Sequence, residues 1–106
     1  MIARIWHGWT SPQNADLYEG LLKNEIFPGI VAKKIAGFRR IELLRAAAGD
    51  DVEFVTVMWF DSMEAIEAFA GTDYETAVVP PKAGAVLKRF DARSRHYEVK
   101  ETRNAI

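Results

Sequence analysis

The chain contains two histidines, His7 and His96, which are the residues best suited to proton transfer. A neutral imidazole can take a proton from a phenol or from an acidic C–H group. His7 lies between Trp6 and Trp9, and His96 precedes Tyr97, so both have aromatic neighbours. The sequence therefore suggests that at least one of them is a catalytic general base facing a cavity between the sheet and the helices. The alternative is a structural histidine that is hydrogen-bonded to a carbonyl group, which is the commoner role of a buried ring.

Aromatic side chains could form a binding pocket for a flat ligand. Trp9 and Trp59 lie near the ends of predicted strands, where a cleft can open, and Tyr74 follows a predicted helix end. Phe69 is the fourth candidate, although packing in the hydrophobic core is its commoner role. The predicted substrate-binding residues are therefore Trp9, Trp59, Phe69 and Tyr74.

Composition excludes several classes of function. Two histidines without carboxylate or cysteine companions make a poor metal site, and the chain has no cysteine for disulfides, iron–sulfur clusters or thiol catalysis. The net charge of −1 leaves no basic surplus for nucleic acid. No apolar run approaches the roughly 18 residues of a membrane span, and no signal-peptide pattern is visible. We therefore expect no metal, no nucleic acid, no membrane and a cytoplasmic location.

The strands that must position these residues follow a β-α-β-β-α-β order with the helices, which is the ferredoxin-like, split-βαβ plan of an α+β protein. Strands are predicted over residues 2–9, 38–47, 52–60 and 89–99, where β-branched and aromatic residues are frequent. A turn at residues 49–51 joins the second and third strands into a hairpin. The first strand lies between the third and fourth strands in this plan, so His7 and His96 are on neighbouring strands and form a pair if the register brings them together.

The helix boundaries follow from capping residues and prolines. The first helix has Ser11 as its N-cap and Pro12 as its first residue, and it ends or kinks near Phe27, because Pro28 has no N–H group. A short turn of helix is predicted to follow through Lys33. The next is predicted to have Asp61 as its N-cap and to stop at Gly71. Two more short helices are predicted, over residues 72–79 and 82–87.

The 106 residues predict a single domain, with residues 100–106 as a flexible tail. A small sheet that carries helices on one face leaves its other face bare. The element order therefore predicts a homodimer that covers the bare face, on which we expect Phe54 and Met58.

The segment FDSMEAIEAF, residues 60–69, resembles the strand-to-helix junction of the antibiotic biosynthesis monooxygenase family. The opening strand with its amphipathic helix and the Gly37-Phe38 start of the second strand are also similar to that family, and the resemblance spans residues 2–99. The resemblance implies a dimeric α+β barrel in which two split-βαβ sheets pack face to face.

The resemblance also implies a cofactor-independent monooxygenase that oxidises a small aromatic or quinol-type compound with O2. A non-catalytic, dimeric small-molecule-binding protein is the alternative, and haem binding or degradation is a less favoured one. Haem-degrading members have an Asn on the first strand, a Trp on the second helix and a later His. Phe69 stands at the Trp position here, Val78 or Val79 near the His position, and the first strand has no Asn. We therefore expect no cofactor and no tight binding of haem.

Overall fold

The computed structural model describes residues 1–106. One antiparallel sheet contains β1 (Ile2–Thr10), β2 (Phe38–Ala48), β3 (Asp51–Phe60), β4 (Arg89–Phe90) and β5 (Arg95–Glu98). Strand β1 is central, with β3 and then β2 on one side and β4 and β5 on the other. One face of the sheet is covered by α1 (Pro12–Leu21), α2 (Phe27–Ala32), α3 (Met63–Ala70) and α4 (Pro81–Val86). The structure confirms the ferredoxin-like α+β fold that the element order predicts.

The first helical region changes geometry near Phe27, as predicted, and continues as the short helical segment expected up to Lys33. A π-helical turn, Leu22–Ile26, joins α1 to α2, and the Phe27 N–H donates to the Leu22 carbonyl five residues earlier. Pro28 cannot donate to the carbonyl four residues before it, so a continuous α-helix would lose a hydrogen bond there. The π-helical turn changes the hydrogen-bonding pattern just before the proline, and the helix continues to Ala32.

The N-cap of α3 is Ser62, one residue later than predicted. The Ser62 hydroxyl accepts a hydrogen bond from the Ala65 N–H at 3.2 Å. Asp61 instead forms two hydrogen bonds with Arg39, so its carboxylate is not available as a cap. The predicted helix stop is confirmed, since Gly71 follows the helix with a φ of +88° that favours glycine.

Residues 72–80 form a turn, an isolated bridge and irregular chain, and the short helix predicted there is wrong. The Thr76 hydroxyl donates to the Asp73 carboxylate at 2.7 Å. The Arg4 guanidinium donates to the backbone carbonyls of Tyr74 and Thr76. These contacts occupy carbonyl groups that a helix needs for its own hydrogen bonds. Residues 81–86 are helical, close to the short helix predicted over 82–87.

The last predicted strand is divided into β4 and β5. Between them, the Ala77 N–H donates to the Ala92 carbonyl at 2.9 Å and the Ser94 N–H donates to the Glu75 carbonyl at 2.6 Å. The Trp6 indole N–H donates a hydrogen bond to the Asp91 carbonyl at 2.7 Å. Residues 92–94 therefore leave the edge of β1, and they attach the 72–80 segment to the sheet.

The core lies between the sheet and the helices, and it corrects the predicted faces of β3. Phe54 is fully buried against Tyr18, and Met58 is buried beside Ile66. Both side chains thus face the helices, and the prediction that they lie on the bare face is wrong. Alternation along the strand places Val55 and Val57 on the bare face instead.

Candidate functional site

A half-open cavity of about 60 Å³ lies between the helix-covered face of the sheet, the α1–α2 region and the 72–80 segment. Its wall is mostly apolar because β1 and β3 turn their buried residues towards the helices. The lining residues include Arg4, Trp6, Thr56, Phe69, Val79 and Ala83. The volume is well below the roughly 300–1,000 Å³ of a typical ligand site. A ligand larger than a few atoms therefore has to project through the open side or displace part of the wall.

Arg4 supplies the only formal charge among the residues that line this cavity. The residue is 3% exposed, although it is a charged side chain on a sheet strand. Its guanidinium donates to the carbonyls of Tyr74 and Thr76 and lies 5.6 Å from the centre of the Phe69 ring. Burial lowers the pKa of Arg4 to about 10. The cavity thus combines an apolar wall with one desolvated cation.

His96 lies behind Arg4 rather than on the cavity wall. The β1–β5 register pairs the two residues, and Arg4 Nη1 is 3.0 Å from His96 Nε2. A guanidinium can only donate, so Nε2 accepts and the neutral ring carries its proton on Nδ1. Nδ1 is buried and has no hydrogen-bond partner. Burial first, and the charge of Arg4 second, lower the pKa of His96, so the ring is held neutral with its lone pair covered by Arg4.

The free energy of unfolding is expected to fall as the pH drops below about 6.5, the ordinary histidine pKa. Because the pKa of His96 is lowered in the folded protein, this histidine binds a proton more readily in the unfolded chain. This contribution to stability is complete above the unfolded pKa and is lost as the pH falls towards the folded pKa. Denaturant unfolding at several values between about pH 5 and pH 8 measures it.

The matched variant for this measurement is His96→Gln, which keeps an acceptor near the position of Nε2 but does not titrate. It should reduce the pH dependence of stability relative to the wild-type protein. Parallel losses of stability in both proteins at acidic pH would contradict the role of His96.

His7 lies on the bare face of the sheet, opposite the cavity. Its Nδ1 is 2.8 Å from Glu53 Oε2, and its ring stacks on Trp9 with 6.1 Å between the ring centres. An Nδ1–H that donates to a carboxylate leaves Nε2 as the free acceptor of the ring. His7 and His96 are on opposite faces, so the pair suggested from neighbouring strands does not form.

The four predicted substrate-binding residues are likewise divided between the two faces. Phe69 lines the cavity, and Tyr74 contacts His96 edge-on at 5.3 Å between ring centres. Trp9 and Trp59 lie on the bare face, where Arg89 covers Trp9 and the Trp59 indole donates to Glu42 at 2.6 Å. The structure therefore brings Phe69, Tyr74 and His96 together around Arg4, and leaves the tryptophans with His7.

Arg4 is the residue that sequence reasoning missed. The signal was available, because Arg4 shares a strand face with Ile2, Trp6 and Gly8, and a charge on such an apolar face is unusual. The pattern could not show which residues 70 or more positions away would supply its hydrogen-bond acceptors.

A haem-type ligand does not fit this cavity as it stands. No histidine lines it, and a volume of about 60 Å³ is far below that of a porphyrin site. No group of three or more side chains of the metal-binding types is arranged to hold a metal ion. None of the helices is both long and apolar enough to span a lipid bilayer.

Solved structures share this architecture over almost the whole chain. A candidate antibiotic biosynthesis monooxygenase from Bacillus cereus aligns with a TM-score of 0.69 and 19% identity, over 98% of this chain and 97% of that one. A variant of MhuD with two manganese protoporphyrin IX molecules per active site aligns with a TM-score of 0.60 and 21% identity, over 99% and 100%. This chain has an antibiotic biosynthesis monooxygenase-like fold. The resemblance seen in the sequence is confirmed at the level of the fold.

A dimeric ferredoxin-like protein from an uncultured marine organism is also similar, with a TM-score of 0.56 and 14% identity over 97% of this chain and 91% of that one. No protein-family model matches the sequence, and no curated protein matches it. At these levels of identity the likeness establishes the fold, and an activity has to be argued from the site.

Proposed function

We propose that the protein is a cofactor-independent monooxygenase that oxidises a small aromatic or quinol-type compound with O2 in the cavity around Arg4. The observation that carries this proposal is an apolar cavity, walled by Phe69 and Trp6, that contains a single buried cation. Apolar walls suit a flat ring and exclude water, and the cation can stabilise negative charge that develops on the substrate. The fold shared with a candidate monooxygenase supports the same reaction class.

The proposed reaction needs only the substrate and O2. A phenol loses its proton, and the electron-rich ring carbon of the phenolate forms a C–O bond with O2. Protonation gives a hydroperoxide, whose O–O bond breaks as the proton on the same carbon is lost. One oxygen atom becomes the new carbonyl of a quinone and the other leaves as water, so the substrate supplies all the electrons. The protein contributes binding, charge stabilisation and exclusion of bulk water.

Oxygen consumption with a panel of hydroquinones and phenols tests the proposal. Ala83 is buried on α4 and lines the cavity, whereas Ala85 on the same helix is exposed. Ala83→Val fills part of the cavity and is expected to lower kcat/KM at least tenfold. Ala85→Val has the same effect on helix propensity and should stay within twofold of the wild type. Equal rates in both variants, or no oxygen uptake with any substrate, would contradict the proposal.

The histidine hypothesis is tested in the same assay. A general base contributes roughly 10²–10⁴-fold to turnover, so a loss of that size in His7→Gln or His96→Gln would identify the base. The geometry favours a positioning role for His96, since Arg4 covers its Nε2. His7 lies on the opposite face of the sheet from this cavity and contacts Glu53, which supports a base role for it less well.

We also propose that the chain, as a single domain, forms a homodimer through the bare face of the sheet. That face has Ile5, Val55 and Val57 at its centre, and an obligate interface of this kind often exceeds about 2,000 Å² in total. The dimeric state of a similar protein supports this assembly. A non-catalytic, dimeric binding protein is the alternative function and becomes the better one if ligands bind without oxygen uptake. A cytoplasmic location stays a prediction.

A further inference from the structure

We propose that the cavity binds its aromatic ligand as an anion, with an ionised oxygen of the ligand on the guanidinium of Arg4. This inference rests on the proposed function for the location of the site, but it concerns binding and does not require turnover. It narrows the substrate class to compounds that present a phenolate or a carboxylate oxygen to the cavity.

The hydrogen bonds of Arg4 leave donors unused. Its two Nη1 hydrogens are taken by the Tyr74 carbonyl and by His96 Nε2, and one Nη2 hydrogen is taken by the Thr76 carbonyl. A guanidinium has five N–H groups, so one on Nη2 and the one on Nε remain. No hydrogen bond within the chain involves Nε. These two groups can donate to a single ligand oxygen or to the pair of oxygens of a carboxylate.

The positive charge of Arg4 also has no counterion within the chain. The ion pairs of the protein involve other cations, and all three acceptors of Arg4 are neutral. A buried charge without a charged partner is unfavourable, and an opposite charge beside it compensates this cost. Glu75 is the carboxylate that acts on neighbouring His96, but its side chain is exposed and bound to Arg93 at 2.9 Å. An anionic ligand would supply the negative charge that Arg4 lacks within the chain.

The shape of the cavity fits the ionised end of such a ligand. A volume of about 60 Å³ is smaller than the roughly 150 Å³ that holds benzene in an engineered cavity. It is large enough for a small oxygen-bearing group, while the remainder of a ring lies along the open side against apolar residues such as Phe69 and Val79. Arg4 is then the specificity-determining contact at the inner end.

Anion binding would also supply the reactive form of a phenol. A cation in an apolar site favours the charged form of an adjacent acid, so a bound phenol loses its proton to solvent at a lower pH than a free one. The cavity wall contains no histidine or carboxylate that could take this proton. Electrostatic stabilisation by Arg4 removes the need for a base on the wall.

The probe for the test is 4-nitrophenol, whose phenolate absorbs visible light and whose phenol does not. Titration of the probe bound to the 106-residue chain, without O2, is expected to show the pKa of the probe lowered by at least about one unit. Arg4→Met should abolish this shift and Arg4→Lys should retain part of it. A raised pKa in the wild-type protein, as an apolar cavity without a usable charge would give, overturns the proposal.

A second measurement avoids any variant that might fail to fold. Benzoate and benzamide have nearly the same shape and differ in charge, and calorimetry on the wild-type protein should show benzoate bound at least tenfold more tightly. Equal affinities, or no binding of either at millimolar concentration, would overturn the proposal. Glu75→Gln is the control and should leave the preference for benzoate unchanged. Benzoate binding without oxygen uptake would refute the monooxygenase activity and leave the anion site standing.

Discussion

Replacement of Val57 by aspartate is expected to convert the proposed homodimer into a folded monomer, with association weakened at least about 10³-fold. Each dimer would bury two new carboxylates, and the desolvation of one ion costs several kcal/mol. A factor of ten corresponds to about 1.4 kcal/mol, so a 10³-fold change needs only about 4 kcal/mol. Sedimentation velocity over a range of protein concentrations measures the dissociation.

The position of Val57 makes this effect specific to the dimer. Val57 pairs with Ile5 on β1 and with Glu42 on β2, at the centre of the face that no helix covers. Its side chain points away from the core, which β3 builds with Phe54 and Met58 on the opposite face. The protomer should therefore keep its fold, as circular dichroism can verify.

The control is Leu17→Asp, because Leu17 lies on α1 and is 60% exposed in the protomer. It introduces the same charge on the helix side and should leave the dimer unchanged. A wild-type protein that is monomeric at micromolar concentration, or a Val57→Asp variant that stays dimeric, would contradict the proposed interface.

Gly37→Ala is expected to lower the free energy of unfolding by about 3 kcal/mol. Gly37 has a φ of +86°, in the left-handed region, which costs a residue with a side chain roughly 1–2 kcal/mol. A Cβ there would also lie 2.9 Å from the Ala65 Cβ on α3, and overpacking of this kind costs roughly 1–3 kcal/mol. The backbone cost and the packing cost both apply, because Gly37 directly precedes β2 and lies against Ala65 of α3.

Gly49→Ala separates the two terms. Gly49 has a φ of +62° in the β2–β3 turn, but no atom lies within 4 Å of the position of its Cβ. It should therefore lose only the backbone contribution, about 1–2 kcal/mol. Denaturant unfolding of both variants at one protein concentration gives the comparison. Equal losses of stability would show that the contact with Ala65 can relax.

The sequence predicted the residues around the candidate cavity only in part. Phe69 could be selected as an aromatic residue with a role in the pocket, and it lines the cavity. His7 and His96 could be placed on neighbouring strands, but the register pairs His96 with Arg4, three positions from His7 and on the other face. A shift of one residue moves a side chain to the opposite face of a sheet, so a sequence without the register cannot decide which histidine meets the cavity.

Local signals determined the elements of this protein, and tertiary contacts determined the site. Alternation and capping residues predict the order of strands and helices along the chain and the helix end at Gly71. These features depend on neighbours within a few positions. The helix predicted over residues 72–79 does not form, because Arg4, some 70 residues earlier, donates hydrogen bonds to the carbonyls of Tyr74 and Thr76. The same contacts bury the arginine without a counterion. Only the folded chain brings that cation to an apolar cavity, since no local pattern encodes a contact between residues so far apart.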